Sequence, residues 1–212
     1  GPASTLKLPD DTTYQAYATT SKSRTGVLYV GANDGMLHGF RASDGEEVLA
    51  YIPSNLFSTA TNAGLHYLTD PAYSHRFYVD LEPVAYDAPL SGVWKTLLIG
   101  GERAGGRGYF MLDVTDPSQF TSTNANSIVK WEFTSNHDPD LGYTFNVPVL
   151  AKMENDQWAV IFGNGYEDTG GSGTAKLFIA YLDGGLDGAW TLNTDYIKID
   201  TGSGSSSHRN GL

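Results

Sequence analysis

Chemistry in this sequence could come from five histidines, two carboxylate clusters and one glycine-rich run that carries two arginines. The histidines (His38, His66, His75, His137 and His208) show no HExxH or comparable metal-ligand spacing. His75 with Asp80 or Glu82 could form an acid/base pair. A spacing of five along a strand puts His75 and Asp80 on opposite faces, so ordinary strand-end hydrogen bonding is the better reading. The run Gly100 to Gly108 lacks Gly-Lys-Ser/Thr, and a strand rather than a helix N-terminus follows it, so it reads as a hairpin loop and not a phosphate cradle. Arg103 and Arg107 within it either pair with nearby carboxylates or face outward as a contact surface. Asp138-Pro139-Asp140, and Glu167-Asp168 with Asn164, lack the Asp-x-Asp-x-Asp-Gly spacing by which one short loop gathers several oxygens around a hard cation. They read as solvated turns. Arg103, Arg107, Asp138, Asp140, Glu167 and Asp168 are the candidate contact-loop residues, and no residue is assigned to catalysis, a cofactor or a metal.

The elements that must carry these loops follow a threefold repeat. A short apolar strand ends in Gly, a polar turn follows, and a second strand closes at Asp beside Gly or Pro. The copies are Val27–Gly31 with Met36–Phe40, Thr96–Gly100 with Tyr109–Val114, and Ala159–Gly163 with Leu177–Leu182. Further strands are expected at Glu47–Ile52, His75–Asp80, Ile128–Phe133 and Asn146–Leu150. About four strands per period is what a propeller blade requires, the extra length being insertions. Asn33-Asp34-Gly35 between apolar runs predicts a tight hairpin. One helix is expected over Ser54 to Leu68, capped by Ser54, with Gly64 against it. The Gly/Ser-rich stretch Thr201 to His208 is expected to be a flexible loop or end. Trp94, Trp131, Trp158 and Trp190 precede or lie on strands, where blade packing is the default role. The pattern predicts an all-β fold, a partial β-propeller of about three decorated blades with one short helix. A β-sandwich of similar strand count stays open on pattern alone.

Composition agrees. The chain has 212 residues, 25 Gly, 13 Tyr and no Cys, and its Asp and Gly disfavour helices while its Tyr and Val favour strands. A net charge of −11 disfavours a nucleic-acid face, which needs clustered Lys/Arg. The absence of Cys excludes disulfides and thiolate chemistry. No run of about 18 apolar residues is present, so no helix is expected to span a bilayer. Gly1-Pro2 reads as the remnant of a cleaved tag, with residues 1–24 a lead-in and 25–212 an incomplete propeller domain, an excised piece of a longer protein.

The first repeat, Leu28 to Phe40 with Asp44-Gly45-Glu46, resembles the blade motif of quinoprotein (PQQ) dehydrogenases. It also resembles the C-terminal domain of the PilY1/PilC family of type IV pilus proteins. Ala50 to Leu56, His75 to Asp80, Trp94 to Gly101 leading into Ala104 to Pro117, Asp140 to Thr144 and Phe162 to Tyr166 follow in the order of the second family. That resemblance implies a modified seven-bladed propeller of which this chain holds about the first half. It implies a non-enzymatic role in pilus assembly, retraction control and surface adhesion, through minor pilins at the pilus tip and host-cell or abiotic surfaces. The implied location is extracytoplasmic, at the pilus tip, cell surface or outer membrane. The family's calcium loop would lie beyond Leu212, so no residue here inherits a ligand role and no cofactor is expected in this chain. The quinoprotein alternative expects a closed funnel, Trp and, in many members, a vicinal Cys pair that this sequence lacks.

Overall fold

The computed structural model describes residues 11–168 and 170–212. Three antiparallel sheets dominate it. The first has three strands in the order β1 (Val27–Gly31), β2 (Leu37–Arg41) and β3 (Glu47–Tyr51). The second is the meander β4 (Val84–Leu90), β5 (Val93–Gly101), β6 (Gly108–Asp113) and β7 (Val129–Thr134). The third repeats that meander with β8 (Val149–Lys152), β9 (Trp158–Gly163), β10 (Thr174–Tyr181) and β11 (Tyr196–Gly204). The sequence repeat maps onto β1/β2, β5/β6 and β9/β10, and in the two four-stranded sheets it is the central pair.

The second sheet lies between the other two, and its sequence shows why. Leu97-Leu98-Ile99 and Tyr109-Phe110-Met111-Leu112 are unbroken apolar runs, as expected of strands buried on both faces. Leu97, Ile99, Tyr109, Met111, Trp131 and Phe133 meet Leu150, Val160, Phe162, Phe178 and Tyr196 of the third sheet. Leu98, Phe110 and Leu112 point the other way, onto Leu37, Tyr29 and Leu49 of the first. Phe133 is the hub of the larger core, fully buried and in ring contact with Phe162, Phe178, Trp190 and Tyr196. Trp131 stands edge-on to Trp190, and Trp94 edge-on to Trp158.

The anchoring glycines of the first and third copies sit where connecting chain crosses back. A Cβ on Gly31 would stand 2.3 Å from the Val79 carbonyl oxygen, and one on Gly163 would stand 2.1 Å from that of Leu212. An asparagine one or two residues after each glycine completes the contact. The Asn33 side-chain oxygen accepts from Tyr78 N at 3.3 Å, and that of Asn164 accepts from Leu212 N at 3.1 Å.

Several local expectations change. Ser54 to Leu68 is not one helix but two short 3-10 turns, Ser54–Leu56 and Gly64–Thr69. Gly64 adopts φ +56°, and its Cα lies against the Leu56 carbonyl, which breaks the intervening turn. The longest α-helix is instead in the lead-in, α1 (Thr12–Ser21), capped by the Asp11 carboxylate, with Tyr14 and Tyr17 against Trp94. A second, α2 (Ala125–Ile128), is a single turn. His75–Asp80 is not a strand: the N–H groups of buried Tyr78 and Val79 donate to Asn33 Oδ1 and Ala32 O in the turn after β1, not to a ladder partner. β4 went unforeseen because it contains Asp87 and Pro89, and Asp87 is buried with Thr96 donating to it at 2.6 Å. Thr201–Gly204 belongs to β11 rather than to a flexible end, and Thr201 Oγ1 donates to Ala175 O at 2.8 Å. Gly1-Pro2 lies outside the described residues.

Replacing Phe133 by Ala removes the shared ring of the larger core. We expect a loss of about 3–5 kcal/mol in urea unfolding, against no more than about 0.5 kcal/mol for the exposed Val93→Ala.

Candidate contact surface

The hairpin loop between β5 and β6 meets two other loops. Glu102 N and Arg103 N both donate to Thr144 Oγ1, at 3.1 and 2.9 Å, which ties the loop to the segment 142–146. Gly142 N donates to Asn164 O and Tyr143 N to Tyr166 O, at 2.8 and 2.6 Å, which ties that segment to 164–167. On this frame Arg103 stands over the Phe145 ring, 5.6 Å from its centroid, with Asp80 at 3.6 Å. Arg107 stands 4.2 Å over Tyr143, and its Nε donates to Glu167 O at 2.7 Å. Phe145 meets Tyr166 edge-on, and both rings are exposed, Tyr166 by 58%. Of the two readings left open for the arginines, the pairing with carboxylates is seen, and each guanidinium is also stacked on an aromatic ring.

The six candidate residues therefore divide. Arg103, Arg107 and Glu167 converge on this surface. Asp138 and Asp140 do not, and the reading of their turn as solvated is wrong: both are buried. Asp138 accepts from the Tyr196 hydroxyl at 2.7 Å and from Lys198 at 2.8 Å. Asp140 accepts from Lys198 at 2.6 Å and Ser172 N at 2.6 Å, with Lys176 at 3.9 Å. Burial pushes the Asp140 carboxyl up, but the hydrogen bonds from Lys198 and Ser172 outweigh it and hold it below the usual range. Asp168, beside the exposed Glu167, turns inward to Arg209 and accepts from Gly173 N at 3.1 Å. These three carboxylates brace the third sheet; they are not on display. The signal for it was Lys176 and Lys198 on the apolar strands β10 and β11, where a lysine needs an acid partner.

Sequence reasoning also missed three features. The rings of Tyr143, Phe145 and Tyr166 were visible as aromatics in glycine-rich loops. Glu102 is fully buried. His38 lies between Asp34, at 2.9 Å, and Glu47; burial lowers its pKa, but the two carboxylates more than compensate and hold it above the ordinary value. Among the described residues no group of three or more His, Asp or Glu side chains is arranged to hold a metal ion.

Three stacked meanders with an inter-sheet aromatic core are blade packing, and comparison places it. The family model for the PilY1 beta-propeller domain matches residues 5–209. The chain belongs to the PilY1 β-propeller family. Among curated relatives, the type IV pilus biogenesis factor PilY1 of Pseudomonas aeruginosa strain PAO1 is 46% identical over 175 residues, covering 81% of this chain and 14% of that protein. A PilY1 homolog of Xylella fastidiosa is 43% identical over 171 residues, covering 80% and 11%. The crystal structure of the P. aeruginosa PilY1 C-terminal domain superposes with a TM-score of 0.69 at 39% identity, over 94% of this chain and 34% of that one. The chain thus spans about a seventh of the first of these relatives and about a third of the solved domain. Of the two sequence resemblances, the family shown is the pilus one.

Replacing Lys198 by Met leaves Asp138 and Asp140 without their shared cation in the interior. We expect a loss of about 3 kcal/mol at neutral pH by chemical unfolding. In the unmodified chain the Asp140 contribution is present above the usual carboxylate pKa of 3.8 and disappears as pH falls below it. The acid limb of the K198M stability curve should be smaller, since the Ser172 hydrogen bonds to Asp140 remain.

Proposed function

We propose that this chain is part of a non-enzymatic β-propeller that serves type IV pilus biogenesis by docking pilus proteins through the loop cluster of Arg103, Arg107, Tyr143, Phe145, Tyr166 and Glu167. The family match supports the pilus role, since the relatives it joins are named type IV pilus biogenesis factors. The observation that carries the site is the pair of arginine–aromatic stacks beside an exposed edge-on ring pair. Arginine and tyrosine are the residues over-represented where protein interfaces gain their energy, and aromatic rings on rigid supports lose little entropy on binding. The loops are fixed by backbone hydrogen bonds, so the surface is preorganised.

In this reading the partners are minor pilins at the pilus tip, and attachment to host-cell or abiotic surfaces uses the same exposed loops. The location is the cell surface and pilus. No residue of this chain takes a cofactor or calcium. Among the described residues no helix is long and apolar enough to cross a membrane.

The test combines Arg103→Ala, Phe145→Ala and Tyr166→Ala in the full-length protein. The expected result is at least a tenfold loss of minor-pilin binding, about 1.4 kcal/mol or more, with pili assembled poorly and the circular dichroism spectrum unchanged. Wild-type binding and piliation by the folded triple variant would refute the surface. Cofactor absorbance with alcohol-dependent dye reduction would refute the non-enzymatic role.

A further inference from the structure

Glu102 is the one carboxylate of the glycine-rich loop, and it points inward. Its side chain is fully buried. Gly106 and Gly108 make the room for it: a Cβ at either position would stand 1.7 Å from Oε2 or 3.0 Å from Oε1. Asn55 Nδ2 donates to Glu102 Oε2 at 2.7 Å. Two buried oxygens then remain without partners, Glu102 Oε1 and Asn55 Oδ1. They are the other ends of the two planar groups that this hydrogen bond already joins. Both are acceptors, so a carboxylate at this position leaves two buried lone-pair groups unsatisfied, at a cost of a desolvated polar atom each. One proton satisfies both. Placed on Oε1 and donated to Oδ1, it would close a two-bond ring between an acid and an amide.

We propose that Glu102 is held as a neutral carboxylic acid, paired in that ring with Asn55, and that its proton locks the loop Gly101–Gly108 to the first sheet's connecting segment. The groups facing it agree. Glu132 of β7 is already occupied, accepting from the Tyr51 hydroxyl of β3 and from the backbone N–H and hydroxyl of Ser54. It disfavours a second anion nearby. The arginines of the loop are engaged elsewhere, Arg103 with Asp80 and Phe145, Arg107 with Tyr143 and Glu167. Burial foremost, with the Glu132 charge adding to it, pushes the Glu102 carboxyl up to about 8, against the Asn55 hydrogen bond. The ring also explains why this run carries glycines at 106 and 108.

The consequence is a loop that responds to alkaline pH. In the unfolded chain Glu102 titrates at an ordinary 4.5, so between about 4.5 and 8 unfolding releases its proton. The stability contributed by the neutral acid is therefore complete below that window and lost as pH rises through it. Above about 8 the loop that carries Arg103 and Arg107 has a buried anion beneath it and should exchange its amide hydrogens faster.

Carbon-13 NMR of the chain labelled at its 7 glutamate carboxyls reads the proton directly. One resonance is expected to titrate near pH 8 and to vanish in Glu102→Gln. That variant keeps a donor for Asn55 and carries no charge. Its Tm should match the unmodified protein at pH 5, exceed it by several degrees at pH 8.5, and vary less with pH between. If all seven carboxyls titrate in the ordinary range near 4, the proposal fails even should E102Q not fold. It also fails if E102Q is the less stable protein at pH 8.5. A Glu102 signal that moves on adding calcium chloride, with no titration near 8, would make the pair a cation site and overturn the proton.

Discussion

The close approach of backbone to backbone at Gly31 and Gly163 is the constraint on which the stacking of these sheets depends. After the first sheet and after the third, the chain returns across the end of β1 or β9, so near that a carbonyl oxygen occupies the space a side chain would need. Glycine is required there by contact, not by φ. An asparagine one or two residues on, Asn33 or Asn164, converts proximity into a hydrogen bond from the returning chain, Tyr78 in one case and Leu212 in the other. The crossing at Gly31 fixes where the second sheet begins relative to the first. The second sheet uses a variant: its Gly101 is followed by Glu102, whose backbone N–H, not its side chain, meets the returning Thr144. Freed from that task, the Glu102 side chain turns inward.

Charge is distributed by the same logic. The chain is strongly acidic, yet three of its loop aspartates are inside, where Lys198, Lys176 and Arg209 meet them. A buried ion group of this kind adds little to stability over a well-packed apolar one, but it tolerates only one arrangement of its partners. Asp138 and Asp140 lie in the connection that follows β7, and Lys176 and Lys198 on β10 and β11. The ion pairs thus set the register of the third sheet against the second while the aromatic core supplies the attraction, and the exposed Glu167 and the arginines are left to the surface.

Much of this was legible in the residues. The strand pairs β1/β2, β5/β6 and β9/β10 were readable because turn, glycine and apolar run recur together, and local signals of that kind need no tertiary information. What escaped had a nonlocal cause. β4 contains Asp87 and Pro89, acceptable because the Thr96 and Tyr14 hydroxyls donate to the first and the strand edge spares the second its missing N–H. The expected helix at Ser54 to Leu68 failed at Gly64, whose surroundings are set by Leu56 rather than by helical spacing. The inward turn of Asp138 and Asp140 could not be seen until Lys198, about 60 positions later in the chain, and Lys176 were brought alongside. In the contact cluster the arginines and Glu167 were legible as loop residues, but their rings were not, because stacking depends on three loops meeting.

The chemistry of that cluster bears on how it could recognise anything. A protein with net charge −11 repels an acidic partner at long range, and its few surface arginines cannot reverse that field. Arg103 and Arg107 are moreover partly neutralised by Asp80 and Glu167. They serve better as flat, polarisable surfaces stacked on Phe145 and Tyr143 than as free charges. Association at such a site gains little from electrostatic steering and depends on short-range fit, so its selectivity resides in how long a partner stays rather than how fast it arrives. Retention of that kind requires loops that do not rearrange. The crossings at the sheet ends, the Thr144 hydroxyl shared by two amides and the inward Glu102 together hold them.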